Sequence, residues 1–255
     1  MNSPRTILTQ LLCNDPDEHV QSFADREPSE KLIVDSLATT VAERDDIWAE
    51  TEVNLWQKKA QSEGDLIEPQ RALREFSHPL QPDIDILCGS INAGQRNPPL
   101  IGIEAKYFGQ YTGIEGDRLL PKRVGPEGNP IGGFYSGLGQ ALSLLSMGLD
   151  YVYLWHVFEL REDIFVDSKS ESGQLDTETI ANHRDIVRTY TTEIKNLLDT
   201  YDLPIGYFAH GLVPAYDNRL LVLDARPLLD CEPIPRNHNK AVRSLLVESM
   251  LSESW

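Results

Sequence analysis

Two short apolar stretches carry more charge than an apolar strand normally tolerates, and they constrain the chain more than any other feature. In Asp83 to Cys88 the order Asp, Ile, Asp, Ile, Leu places Asp83 and Asp85 on one strand face and Ile84 and Ile86 on the other. Leu100 to Tyr107 repeats the pattern with Glu104 and Lys106. Residues two apart on a strand stand roughly 7 Å apart on one face. Two acids from one strand and an acid and a lysine from the next can therefore meet at one point. Gly89 to Pro99, rich in Gly, Asn and Pro, turns the chain between them. A solvated hairpin whose charges face water is the competing account of the same residues.

Carboxylates gathered in this way suit a hard divalent cation, which takes oxygen ligands from one or two carboxylates, phosphate and water. Such a cation lowers the pKa of a bound water, and a nearby lysine can orient that water or neutralise charge on a phosphate. Pro82-Asp83, followed at some twenty residues by Glu104-Ala105-Lys106, resembles the PD-(D/E)XK nuclease superfamily, which includes restriction endonucleases and Holliday-junction resolvases. The resemblance implies that Asp83 and Glu104 bind Mg2+ (Mn2+ may substitute), with the Ala105 carbonyl as a further ligand and Lys106 as the catalytic lysine. Asp85, on the same face as Asp83, is the alternative ligand.

The flanks supply the remaining elements. Ser29 is placed to cap a helix whose apolar stripe runs Leu32, Ile33, Leu37, Val41, Trp48, Leu55 and Trp56, with a break near Arg44-Asp45-Asp46. Glu52 lies on that stripe, and a carboxylate on an apolar face calls for a metal or a lysine. In the superfamily a glutamate of this helix often joins the site, so Glu52 is the expected third metal ligand; a surface glutamate beside two tryptophans is the alternative. Leu66 to Phe76 is the expected first strand, bent at Pro69.

Gly109 to Gly133 is expected as a long loop over the site, with bases at Arg118, Lys122 and Arg123 to meet phosphates, or else as a solvated insertion. Phe134 to Gly148 predicts a helix in which Ser136, Gly137 and Ser143 permit close approach to a sheet. Many nucleases of the superfamily carry a glutamine there, which implies a supporting role for Gln140; an exposed helix position is the alternative. Tyr151 to Phe158, apolar on both faces, predicts a central strand with His156 as a hydrogen-bonded core residue.

The expected fold is thus α/β: a restriction-endonuclease-like αβββαβ core with a central mixed sheet flanked by helices. Residues 1–28 form a polar lead-in with a short helix near Thr6 to Cys13, 29–159 the core, and 160–255 a C-terminal α/β extension packed on the same domain. The extension is expected to hold an acidic, serine-rich loop to Thr177, then an amphipathic helix with Ile180, Val187, Tyr190, Ile194, Leu197, Leu198 and Tyr201 on one stripe. Strands at Ile205 to His210 and Arg219 to Asp224 follow, then a helix from Asn239 to Met250.

Composition sets limits on these expectations. At 255 residues and 40% hydrophobic content the chain can bury a substantial core. It has no apolar run of about eighteen residues and no basic-then-apolar start, so a cytoplasmic protein without a membrane partner is expected. Three scattered cysteines and six scattered histidines support neither zinc nor disulfides. The formal net charge of −17, from forty acids against twenty-three bases, opposes approach to a polyanion. Clustering of the bases on one face, or adaptation to a high-salt cytoplasm, would relieve that opposition. The function these features imply is a metal-dependent DNA nuclease, with RNA served by the same chemistry. The alternative is a catalytically inactive nuclease-like module that binds a protein or nucleic-acid partner, and a homodimer remains an open use of the C-terminal part.

Overall fold

A computed structural model describes residues 29–42, 47–54, 83–90, 99–114, 118–124, 130–159, 177–214, 220–229, 242–244 and 246–247. Helix α1 (Glu30–Ala42) starts where its cap predicts: the Ser29 hydroxyl accepts the Leu32 N–H at 3.2 Å, and the Ser29 carbonyl accepts that of Ile33. Next comes β1 (Ile47–Asn54), which the helical stripe through Trp48 had placed in a helix. Ile47, Trp48, Thr51 and Val53 are β-branched or aromatic, types that lose side-chain freedom in a helix and pack well on a pleated sheet. Strand preference prevails here over a 3.6-residue spacing built on a few large side chains.

The chain continues through β2 (Asp83–Ser90) and β3 (Leu100–Phe108). A small antiparallel sheet follows, made of β4 (Gln110–Ile114), β5 (Arg118–Val124) and β6 (Pro130–Ile131). The described part of the expected long loop is therefore largely strand, with Gly113 and Pro121 inside β4 and β5. Then come α2 (Leu138–Leu144), β7 (Tyr151–Glu159), α3 (Thr177–Thr200), β8 (Ile205–Pro214) and β9 (Leu220–Leu229). Residues 242–244 and 246–247 are helical. The expected lead-in and its helix, the strand at 66–76 and the serine-rich loop lie outside the described residues.

The main sheet has the order β1-β2-β3-β7-β8-β9. β3, β7 and β8 run parallel, and the outer pairings are antiparallel. Parallel neighbours need long crossovers, and α2 and α3 lie within them. Ile33, Val34 and Ala38 of α1 pack on one face against Ile86, Ile101, Ile103, Tyr153 and Trp155. Ala141 and Leu144 of α2 and Val187, Ile194 and Leu198 of α3 cover the other, against Leu100, Phe108, Leu154 and Phe158. The fold is thus α/β, a mixed sheet flanked by helices. With helices on both faces the central strands are buried from both sides, which is why β3 and β7 read as nearly continuous apolar runs. Each large apolar side chain so buried contributes about 1.5–3 kcal/mol, and the polar residues on β3 are costly exceptions.

Helix α3 ends as Asp202 turns to φ 48° and the Leu203 N–H returns to the Leu198 carbonyl. Tyr201 lies between the helix's last residue and this turn and is 70% exposed, so it leaves the buried stripe expected of it. Among the described residues no helix is long and apolar enough to cross a membrane.

One polar junction ties residues near the C-terminus to the sheet. Asp150 accepts the Leu100 N–H at 2.8 Å and pairs with Arg243 at 2.8 Å, and Arg243 also donates to the Gly148 carbonyl at 2.9 Å. Arg243→Ala removes a charge-assisted pair and leaves that carbonyl short of a donor. It is expected to lower unfolding stability by roughly 1–3 kcal/mol in denaturant titration; an unchanged midpoint would show that the junction contributes nothing.

Candidate functional site

β2 and β3 pair from Gly89 and Leu100 down to Ile86 and Ile103, where their recorded pairing ends. Just beyond, the Ala105 N–H is taken by a side chain: Asp85 Oδ2 accepts it at 2.7 Å. A carboxylate thus stands where a strand carbonyl would otherwise serve, and Asp85 is wedged beside β3. The same oxygen lies 3.4 Å from Lys106 Nζ. Three more oxygens surround that ammonium: Glu104 Oε1 at 2.6 Å, the Ala105 carbonyl at 2.6 Å and Glu30 Oε1 at 3.1 Å. Glu30 opens α1, so four oxygens from three elements converge on one lysine.

The site is closed on the α2 side by a glycine. Gly137, just ahead of α2, has φ 88°, and a Cβ built on it would lie 2.7 Å from Lys106 Cγ and 3.5 Å from Glu104 Cγ. Only a residue without a side chain lets the chain lie against both stems. Opposite Lys106 in the β3–β7 register is His156. Its Nε2 lies 3.1 Å from the Ser136 carbonyl and its Nδ1 3.2 Å from the Tyr207 hydroxyl. These partners assign the proton to Nε2, with Nδ1 accepting from the tyrosine. Burial pushes His156 down to about 3, so it is a neutral core residue.

Glu104 is fully buried and Lys106 is 2% exposed. Among the described residues the Lys106 ammonium is all that meets Glu104 Oε1, and Oε2 has no hydrogen-bond donor. Burial, reinforced by the neighbouring Asp85 charge, pushes Glu104 up to about 8. Burial also raises Asp85, against the pull of Lys106 and the Ala105 N–H. For Lys106 burial acts downward, but the charges of Asp85, Glu104 and Glu30 together outweigh it and hold the amine above its ordinary value. The lysine is therefore charged at neutral pH, and the acids compete for ionisation around it.

Of the residues expected from sequence, Glu104 and Lys106 come together. On β2 the carboxylate that meets Lys106 belongs to Asp85, the alternative ligand; Asp83 lies at the strand's start, opposite Asn54. The helical placement of Glu52 is corrected. The residue sits on strand β1, not on a helix, with φ 49°, and its side chain is 55% exposed and paired with Lys31 at 2.6 Å. The helix ahead of the sheet does send a glutamate to the site, but it is Glu30. The signal for it was slight, an acid directly after a capping serine, a position ordinarily explained by the helix dipole. Gln140 is half-buried on α2 with its own carbonyl bonded to Ser143, and it is Gly137, earlier in the chain, that abuts Glu104 and Lys106.

The basic cluster of the 109–133 segment reaches the site through Arg123 on β5. One of its nitrogens lies 3.0 and 3.2 Å from the two Glu30 oxygens. Glu30 therefore links Lys106, Arg123 and, at 3.4 Å, the Tyr107 N–H. Among the described residues no three His, Cys, Asp or Glu side chains are arranged to hold a metal ion as they stand. The acids meet around an ammonium instead.

The buried groups give opposing dependences of stability on pH. His156 and His210, which burial lowers to about 3 and about 4, stay neutral in the fold while the unfolded chain protonates below about 6.5; their contribution is present above that pH and lost as pH falls. Glu104 behaves oppositely. Its raised pKa keeps a proton that the unfolded chain releases near 4.5, so its contribution is lost as pH rises toward about 8. Glu104→Gln should match the parent protein near pH 5 and exceed it in melting temperature above pH 8, by an amount on the order of a few kcal/mol in stability. Equal melting temperatures at both values would remove the buried carboxylic acid from the account.

Compared with known protein families, with curated proteins and with solved structures, the chain matches none.

Proposed function

We propose that this chain is a metal-dependent nuclease of the PD-(D/E)XK type, with a restriction-endonuclease-like core, acting on DNA. The observation that carries the reading is Glu104: a carboxylate buried at the centre of the sheet, whose Oε1 meets the Lys106 ammonium and whose Oε2 has no hydrogen-bond donor among the described residues, with Asp85 alongside. Burying a carboxylate so sparsely satisfied is costly, and a divalent cation is the partner that would offset it. The order of the described elements supports the reading, since α1, β1, β2, β3, α2 and β7 run α-β-β-β-α-β once the small β4–β6 sheet is set aside.

The donor set fits Mg2+ or Mn2+, being entirely hard oxygen. Glu104, Asp85 and Glu30 would hold the ion, with the Ala105 carbonyl as a further ligand. The first replaces no expected residue, whereas the other two stand in for Asp83 and Glu52. When bound, the cation would supply an acidified water and neutralise charge on the phosphate. The chain's own residues do the rest. Lys106 holds a positive charge beside the scissile phosphate and orients the attacking water. Arg123, half-exposed on β5, is set by Glu30 to receive a phosphate oxygen. Together they supply the positive charge that the site offers a phosphate, in a chain of net charge −17. RNA would be cleaved by the same chemistry.

A second reading, a non-catalytic module that binds a protein or nucleic acid, draws support from the way the acids close on Lys106. Activity separates the two. Purified protein with Mg2+ or Mn2+ is expected to nick supercoiled plasmid DNA. Lys106→Ala and Glu104→Gln should each lower the rate by about a hundredfold or more while far-ultraviolet circular dichroism is unchanged. Nicking that survives both substitutions would falsify the site assignment, and a folded protein inert with both metals and both nucleic acids would favour the module.

A further inference from the structure

We infer that the Lys106 ammonium occupies the seat of the divalent cation, so that the cation enters by displacing it outward, toward Glu30 and Arg123. The inference rests on the metal-site reading above and concerns what the lysine does before metal arrives. Nζ is enclosed by Glu104 Oε1, the Ala105 carbonyl, Glu30 Oε1 and Asp85 Oδ2, all within 3.4 Å. These are carboxylate and carbonyl oxygens, the donors a hard divalent cation selects. An ammonium and a divalent ion cannot share such a pocket, because like charges a few ångströms apart in a poorly screened interior repel strongly. Among the described residues no acid cluster is already arranged around a metal position, and the ammonium stands between these three acids.

The exit route follows from what surrounds the lysine. On the α2 side the stem is blocked, since Lys106 Cγ lies where only a glycine at 137 leaves room. Glu104 is wholly buried, whereas the Glu30 and Arg123 side chains are 29% and 28% exposed. The open direction is therefore along Glu30. Arg123 contacts both Glu30 oxygens there, so Glu30 stays anchored as the lysine moves outward past it. The displaced ammonium arrives beside Arg123, and the two cations then face whatever anion approaches the bound ion.

The test compares Mn2+ binding by isothermal titration calorimetry in the full-length protein, Lys106→Met and Glu104→Gln. With its internal competitor gone, Lys106→Met should bind Mn2+ at least about tenfold more tightly than the parent, a difference of one decade in Kd, and Glu104→Gln should lose binding. Equal or weaker binding by Lys106→Met overturns the displacement, while the absence of Mn2+ binding in both parent and Lys106→Met overturns the metal reading itself. Because Lys106→Met leaves buried acids without a cation and so lowers stability, the parent protein provides a second measurement. Acetylation by an N-hydroxysuccinimide ester, read at Lys106 by peptide mass spectrometry, should be slow without metal and several-fold faster in Mn2+ at concentrations where calorimetry shows binding. Protection that persists with Mn2+ bound contradicts the inference.

Discussion

An ammonium buried on the central strand of a sheet must be surrounded by anions, and much of this molecule's local architecture follows from that demand. Lys106 is 2% exposed and Glu104 fully buried, on a strand covered on both faces. Removing one partner of a buried ion pair costs about 3–5 kcal/mol, because the other charge is stranded. The acids around Lys106 are accordingly drawn from separated parts of the chain: Asp85 from β2, Glu104 from β3 and Glu30 from the first turn of α1. The requirement reaches the backbone as well. Where the recorded pairing of β2 with β3 ends, Asp85 bonds both the Ala105 N–H and the lysine, and a positive-φ glycine lets the chain ahead of α2 rest on the lysine's stem.

An arrangement of this kind is a poor way to gain stability. Replacing buried ion pairs by apolar residues of similar size is often neutral or stabilising, so charge kept at the centre of a covered sheet points to use. Glu104 makes the case most directly: burial pushes it up to about 8, and among the described residues its Oε2 has no hydrogen-bond donor. Perturbed ionisable groups gathered in this way mark functional sites more often than structural ones. His156 shows the contrast. It is as deeply buried, but both nitrogens are satisfied by Ser136 and Tyr207, and its role is packing.

Much of this was legible in the residues themselves. The alternation in β2 and β3, the doubly apolar β7, the long amphipathic α3 and the serine cap of α1 each follow from a period or a local hydrogen bond. The site was legible where it lay on strands, because a period of two places Glu104 and Lys106 on one face unambiguously. It was obscure where it depended on how separate elements dock. The choice between Asp83 and Asp85 turns on where β2 leaves β3, which neither strand's own sequence encodes. Glu52 was misplaced because two tryptophans and a leucine at helical spacing concealed a β-branched strand, and with that strand assigned as helix, Glu30 had no reason to stand out. The 109–133 segment was obscure because Gly113 and Pro121, residues that ordinarily argue against a strand, lie inside β4 and β5.

The account's central claim is that Glu104, Asp85 and Glu30 form one oxygen-lined site for a divalent cation. Crystals grown with MnCl2 and measured near the manganese absorption edge test it most directly. The account predicts a single anomalous peak within bonding distance, about 2.1–2.3 Å, of carboxylate oxygens of Glu104 and Asp85, with Lys106 Nζ moved out of the position between them. Crystals with manganese elsewhere, and the ammonium still enclosed by the same three acids, would contradict it.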